Sequence, residues 1–231
     1  MWNGKRKALT FSFDDGIEQD KRIVEIFDKY NLKCTFNVNS GLLGTKGTVP
    51  SPDGRHFPHN KIEPSEVKEL YKNHEVACHT LTHPNLTNIS NETIIYQIQQ
   101  DCKILSELCG YEIKGMAYPG GGINNDERVN EVVKNYTNLK YARTNKSNFS
   151  FDLQSDYYHF DPTVHTYYWD KMVELAKEFL DLKSDEDKIF YIYGHSYELD
   201  FDDTWDKFEE FCKMISGKDD IFYGTNSEIL L

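Results

Sequence analysis

Thr10-Phe11-Ser12-Phe13-Asp14-Asp15-Gly16 is the stretch on which the reading of this chain turns. The alternating apolar run from Ala8 to Phe13 ends abruptly in two adjacent carboxylates and a glycine. Such a run reads as a buried strand whose C-terminal end points at a cavity. Two acids at the mouth of a buried strand cost free energy unless they are hydrogen-bonded or bind a cation. Neighbouring strand residues face opposite ways, so Asp14 and Asp15 need not share a role. Gly16 permits a sharp exit from the strand. A plain Asp-Asp-Gly turn has the same letters, so the stretch gains its meaning from the rest of the chain.

Outward from it, strand-like and helical patterns alternate. Ile17 to Tyr30 is amphipathic with Asn31 as a stop, and Lys33 to Asn39 is a second strand. Ser40 to Pro64 is a long Gly- and Pro-containing loop carrying His56 and His59, the length expected of a lid or subsite wall. A short helix over Pro64 to Asn73 precedes a third strand, Glu75 to His79. Ser90 caps a helix over Asn91 to Leu108 that Gly110 ends. Lys114 to Tyr118 and Leu139 to Arg143 are strands flanking a helix over Asp126 to Tyr136. Thr144 to Thr166 is irregular, Tyr167 to Leu182 is helical, and Lys188 to Tyr193 is a strand ending in Gly194-His195. A last helix over Thr204 to Ile215 leads to a short strand, Asp220 to Gly224.

This alternation predicts an α/β fold: parallel strands with helices outside them, a single-domain distorted (β/α)7-8 barrel over residues 1–231. Polar residues recur at the strand C-termini: Asp14 and Asp15, Asn39, His79, Tyr118, Arg143 and His195. In barrels of this kind that end carries the active site.

The 231 residues carry a net charge of -12, which argues against non-specific binding to nucleic acid or anionic membranes. Aromatics at 14% argue against disorder. The five cysteines have no metal-finger spacing and read as reduced thiols. No stretch has the length of a signal-peptide core or a transmembrane helix, so a soluble, cytoplasmic protein is expected.

His79 and His83 stand four positions apart, a spacing that on a helical turn puts both imidazoles on one side, with Thr80 and Thr82 available to orient them. Two histidines and one Asp make a facial set that holds a divalent ion and leaves positions open for water and substrate.

TFSFDDG followed by HTLTHP resembles the NodB-homology polysaccharide deacetylases, carbohydrate esterase family four, whose first two motifs are T-F-D-D-G and H-[ST]-x-x-H. The resemblance spans the chain and implies metal ligands Asp15, His79 and His83, with Asp14 as the general base. It implies a divalent metal, zinc first, with cobalt, nickel and manganese as alternatives. The family's third motif, Arg-x-Pro-Tyr, falls on Ala117-Tyr118-Pro119-Gly120, so its arginine is missing here and its aromatic is a glycine. Arg143, at the next strand end, is the candidate for the missing guanidinium. The strand ending at His195 matches the segment that supplies the general acid, with Gly194 where an apolar residue is more usual. Ser196-Tyr197-Glu198-Leu199-Asp200 is similar to the gellan-lyase-like branch; Glu198 or Asp200 is placed to orient the imidazole, or the segment is a solvated acidic loop. The fourth motif has no match, with Asp161 and His165 as stand-ins or structural residues.

These residues imply a metal-dependent hydrolase that removes N- or O-linked acetyl groups from a carbohydrate. Tyr118, Pro119, Gly120, Tyr197 and Glu198 are candidate substrate contacts, with a backbone N–H of Tyr118 or of the glycine run as oxyanion donor. Trp169, Trp205, Tyr157 and Tyr158 are either sugar-stacking or core aromatics. The alternatives are a hydrolase of a small non-sugar amide on the same fold, which can dispense with the metal, and a catalytically silent carbohydrate-binding domain. The expected partner is an acetylated carbohydrate, with no nucleic acid and no membrane insertion; the oligomeric state is open.

Overall fold

Strand β1, Lys7–Asp14, is buried at every position, as a strand covered on both faces must be. The computed structural model, which describes residues 2–231, builds outward from it. In chain order follow α1 (Asp20–Lys29), β2 (Cys34–Val38), a hairpin of β3 (Thr48–Pro50) and β4 (His56–Pro58), α2 (Val67–Leu70) and β5 (Glu75–Cys78). Then come α3 (Asn91–Cys109), β6 (Gly115–Ala117), α4 (Glu127–Tyr136), β7 (Tyr141–Arg143), β8 (Val164–His165) and α5 (Trp169–Asp181). The chain ends with β9 (Lys188–Gly194), α6 (Glu198–Phe201), α7 (Trp205–Ile215), β10 (Ile221–Tyr223) and α8 (Asn226–Leu230).

Apart from the β3–β4 hairpin, the strand ladders among the described residues are parallel, in the order β7-β6-β5-β2-β1-β9-β8. One edge of β1 is covered by β9; the other is shared, β10 taking Lys7–Leu9 and β2 taking Phe11–Asp14. The end strands β7 and β8 share no ladder, and Arg143 meets Phe160 only in an isolated bridge. The expected barrel is therefore a curled, open one in a single domain.

The pleat of β1 decides where the chemistry goes. Leu9, Phe11 and Phe13 face the helices, where Phe11 and Phe13 pack edge-on and tilted against Phe27 and Phe208. Ala8 belongs to a second cluster inside the barrel with Tyr141, Phe160 and Tyr191. On the same face Thr10 donates to Asn226 (2.9 Å) and Ser12 accepts from Asn37 (2.8 Å). Asp14 is next in that inward row.

Helix ends follow local rules where expected. Ser90 Oγ accepts from Thr93 N at the start of α3, and Gly110 closes it at φ 83°. Several expectations change. Helix α1 starts at Asp20 rather than Ile17, because Ile17 bridges to Lys61 and Glu18 N donates to Asn60 O. The Ser40–Pro64 loop contains the β3–β4 hairpin. His79 to His83 is not helical: Thr80 and His83 hold φ of 67° and 61°. The segment after His195 forms α6 instead of a solvated loop. All five cysteines are free, and no described helix is long and apolar enough to cross a membrane.

Candidate active site

Asp14 ends β1 inside the barrel, and Asn37, its register partner on β2, donates to Asp14 Oδ1 at 2.8 Å. Arg143 Nη2 lies 2.5 Å from both Asp14 carboxylate oxygens. Both side chains are buried, and the guanidinium also lies over the Tyr193 ring, 4.7 Å from its centroid. Burial works against ionisation of Asp14, but the Arg143 charge, helped by His79 and His195, holds its pKa below the usual carboxylate value.

Asp15 has already left the strand, at φ 87°. Its ligand atom lies within 4.8 Å of those of His79 and His83. The two rings stand 4.9 Å apart, and His79 Nδ1 donates to Ala117 O at 2.9 Å, which leaves Nε2 with a free lone pair. Burial pushes His79 down to about 4 and lowers His83, so both imidazoles are neutral at neutral pH. Two neutral nitrogens and one ionised carboxylate are a donor set that fits a divalent ion. Asp15, Thr80 and His83 all adopt left-handed backbone, so strain is concentrated at this cluster. Neither threonine bonds the rings: Thr82 pairs with Gln97, and Thr80 Oγ1 has no partner among the described residues.

Residues 59–61 close over Asp15. His59 Nε2 donates to Asp15 Oδ2 (3.1 Å), and Lys61 Nζ donates to Asp15 O (2.8 Å) with Oδ1 at 3.4 Å. Against the cost of burial, His59 and Lys61 hold the Asp15 pKa well below its ordinary value.

On the far side, His195 Nδ1 pairs with Glu198 Oε1 at 3.1 Å, and the ring stacks on Tyr197. Burial alone would lower this histidine; Glu198, with Asp15 and Asp14, instead raises it to about 9. His165 completes a second His-His-carboxylate group with His195 and Glu198. Its Nδ1 accepts the Tyr167 N–H at 3.0 Å, so Nε2 carries the hydrogen and is a poor metal donor. In that second group His195 is hydrogen-bonded to Glu198, while His165 Nε2 stands off from the same carboxylate at 3.8 Å.

Asp14, Asp15, His79, His83, His195 and Glu198 open into one cavity of about 480 Å³. Of the other candidates, Tyr118, Gly120 and Tyr197 line it, whereas Pro119 does not. Arg143 lies behind Asp14 rather than in the wall. Asp200 turns away from His195, accepting from Trp205 Nε1 (2.8 Å) and Gln19 Nε2 (2.9 Å). Trp205 is buried, Trp169 packs on Phe211, and Tyr157 and Tyr158 pack against the core. Asp161 lies in a neighbouring cleft, bonded to Thr144.

A model of the polysaccharide deacetylase family matches residues 3–139. The chain belongs to the polysaccharide deacetylase family. Over 121 residues it is 27% identical to the peptidoglycan-N-acetylglucosamine deacetylase PgdA of Listeria monocytogenes, covering 52% of this chain and 22% of that protein. Over 126 residues it is 26% identical to a bifunctional xylanase/deacetylase of Pseudobutyrivibrio xylanivorans, covering 52% of this chain and 18% of the relative. The chain thus spans about a fifth of the length of these relatives. Its fold is similar to a family 4 acetyl xylan esterase from Clostridium thermocellum, solved with a cobalt ion: TM-score 0.61, 15% identity, 96% of this chain and 90% of that one covered.

In this polysaccharide deacetylase family member Ala117, at the end of β6, and Arg143, at the end of β7, are register partners. The guanidinium that pairs with Asp14 therefore projects from the strand end beside that of Ala117. Gly194 has an equally local reason: a Cβ there would sit 2.0 Å from Thr166 Oγ1, which donates to Glu198 Oε2. The Tyr118 N–H is already committed to Arg143 O, while Gly120 and Gly121 N–H donate to no described protein acceptor.

Two buried carboxylates behind the site were not among the sequence candidates. Asp101 accepts from Ser40 N and Oγ and from His79 N, fixing the end of β5; burial pushes it up to about 6. It sits on the apolar stripe Ile94, Ile98, Leu105 of α3, a legible signal for a buried acid with a partner. Asp20 accepts from Ser196 Oγ, Tyr71 OH and Ile17 N, tying together the segments after β9 and β1. Asn37 was also legible, as a polar residue between Phe36 and Val38 in a buried strand. His59 and Lys61 carried no comparable local sign.

Proposed function

We propose that this chain is a metal-dependent hydrolase that removes N- or O-linked acetyl groups from a carbohydrate. One observation supports it above others: an Arg-clamped carboxylate, a Glu-paired imidazole and a His-His-Asp donor set face one cavity. Zinc, cobalt, nickel and manganese all suit that donor set, zinc first.

A divalent ion held by Asp15, His79 and His83 would supply Lewis-acid polarisation of the acetyl carbonyl and lower the pKa of water to about 7. Asp14, kept ionised by Arg143 and oriented by Asn37, takes the proton of the attacking water. The free amides of Gly120 and Gly121 are the donors available to a developing oxyanion. His195, backed by Glu198, donates its proton to the departing amine or alcohol. We also assign the chain to the gellan-lyase-like branch, on the likeness of Ser196-Tyr197-Glu198-Leu199-Asp200 to it.

The test is acetate release from a panel of N- and O-acetylated oligosaccharides, using chelated protein and then protein with zinc or cobalt restored. Release that depends on restored metal is expected. Release of acetate from small non-sugar amides alone, or glycan binding without any release while metal is bound, would overturn the proposal.

A pH dependence follows from His195. It must be protonated to donate, and Glu198 lifts its pKa to about 9, so turnover should hold below that pH and fall as pH rises through it. Glu198→Gln removes the charge that raises the imidazole, and the alkaline limb should move down by about one unit or more. An unmoved limb in the kcat/KM profile would remove His195 as the general acid.

A further inference from the structure

Beside the catalytic cavity lies a second one of about 540 Å³, and the two share Asn145, Tyr168 and Tyr193 as walls. We infer that this second cleft is a glycan subsite, which holds sugars continuing from the reacting one and makes a neutral oligosaccharide the preferred substrate over a monosaccharide. The inference rests on the deacetylase reading and deepens it.

Exposed apolar surface is concentrated here. Of the eight exposed large hydrophobic side chains among the described residues, Ile123, Phe149 and Tyr168 line the second cleft and Tyr167 lines the first. Scattered exposed hydrophobics need no explanation, but a cluster around connected cavities marks a binding surface. The faces of aromatic rings suit the C–H faces of pyranoses, and Phe149 and Tyr168 stand edge to face, 5.9 Å between centroids. Phe149 is held at φ 54°, unfavourable for a bulky residue. Its amide donates to Thr163 O, and Asn148 N donates to Pro162 O, so the backbone is pinned in the conformation that presents the ring.

The polar lining is equally prepared. Asn145 Nδ2 donates to Gly120 O and Gly122 O, joining the walls of both cavities, and Tyr193 OH donates to Asn145 O. Asn125 also lines the cleft, its Nδ2 donating to Asn124 Oδ1. The cleft's charges balance: Asp161 faces Lys146 at 3.9 Å and His159 at 3.7 Å. With no surplus cation there, in a chain of net charge -12, a neutral sugar is favoured over a uronic acid.

The experiment compares the metal-loaded wild type with Phe149→Ala on two series of one to five sugars, β-linked N-acetylglucosamine and acetylated xylose, reading calorimetric affinity and acetate release. Affinity should rise with length, and KM for the longer oligomers should rise about tenfold in Phe149→Ala, with kcat and the monosaccharide reaction unchanged. Turnover without any gain from length, or a Phe149→Ala effect equal on monomer and oligomer, overturns the subsite and leaves the deacetylase reading standing. Length-dependent binding that Phe149→Ala abolishes, with no acetate released from any sugar, supports the subsite and sinks the deacetylase reading. Absence of both binding and release overturns both.

Discussion

Arg143→Met should lower stability by about 3–5 kcal/mol and the melting temperature by roughly 10 °C. The substitution keeps much of the side-chain volume but leaves the Asp14 carboxylate buried with no guanidinium, and Asn37 alone does not neutralise it. A buried carboxylate without its partner protonates instead of staying charged. The Asp14 pKa should therefore rise, the proposed general base should be neutral at neutral pH, and turnover should fall by about 10²–10⁴-fold. Activity should recover in part at higher pH, because the proton leaves the carboxyl as pH passes its raised pKa. The controlling comparison is the double variant Asp14→Asn with Arg143→Met. It removes the stranded charge, so it should be more stable than Arg143→Met alone in urea and thermal melts. Equal melting of the two would mean that the ion pair is not what the guanidinium contributes.

His79→Ala should abolish stoichiometric metal binding and reduce acetate release by about 10³-fold or more. His79 is 1% exposed, presents Nε2 toward Asp15 and His83, and is anchored through Nδ1 to Ala117 O. Nothing else in the donor set can replace that nitrogen: Lys61 offers an ammonium, and His59 Nε2 is taken by Asp15. Metal content by mass spectrometry and melting with and without zinc both read this out. Wild-type protein at 100 Kd of metal should gain about 2.7 kcal/mol of stability, and the variant should gain none. His83→Ala, at a half-exposed position, makes the same test with less disturbance of the core. Full metal content in either variant would show that the ion is held elsewhere.

What the sequence determined by itself was everything that depends on near neighbours along the chain. The alternation of β1, the amphipathic spacing of α1 and α5, the Ser90 cap and the Gly110 stop of α3 act over a few residues, so the parallel α/β order could be read directly. The same holds for Asp14, Asp15, His79, His83 and His195, which stand at or beside strand ends where the chain must turn. Even there local reasoning had limits. The helical turn expected between His79 and His83 is replaced by left-handed residues, because the strand end is tied by Asp101 to a distant helix.

The tertiary structure alone decided which strand ends become neighbours, and with that the electrostatics. Arg143 reaches Asp14 across 129 residues of sequence, because β7 lies beside β6 and places Arg143 level with Ala117 on the inward-curving sheet. His59 and Lys61 reach Asp15 because residues 60–62 pair with residues 16–18, a contact between two loops that no periodicity encodes. The separation of Glu198 from Asp200, two residues apart in one acidic segment, came from a single turn of α6 that aims one at His195 and the other at Trp205. Sequence patterns report which residues are buried and how the local backbone runs. Charge pairing inside a barrel depends on strand order and register, which are set by the packing of the whole sheet.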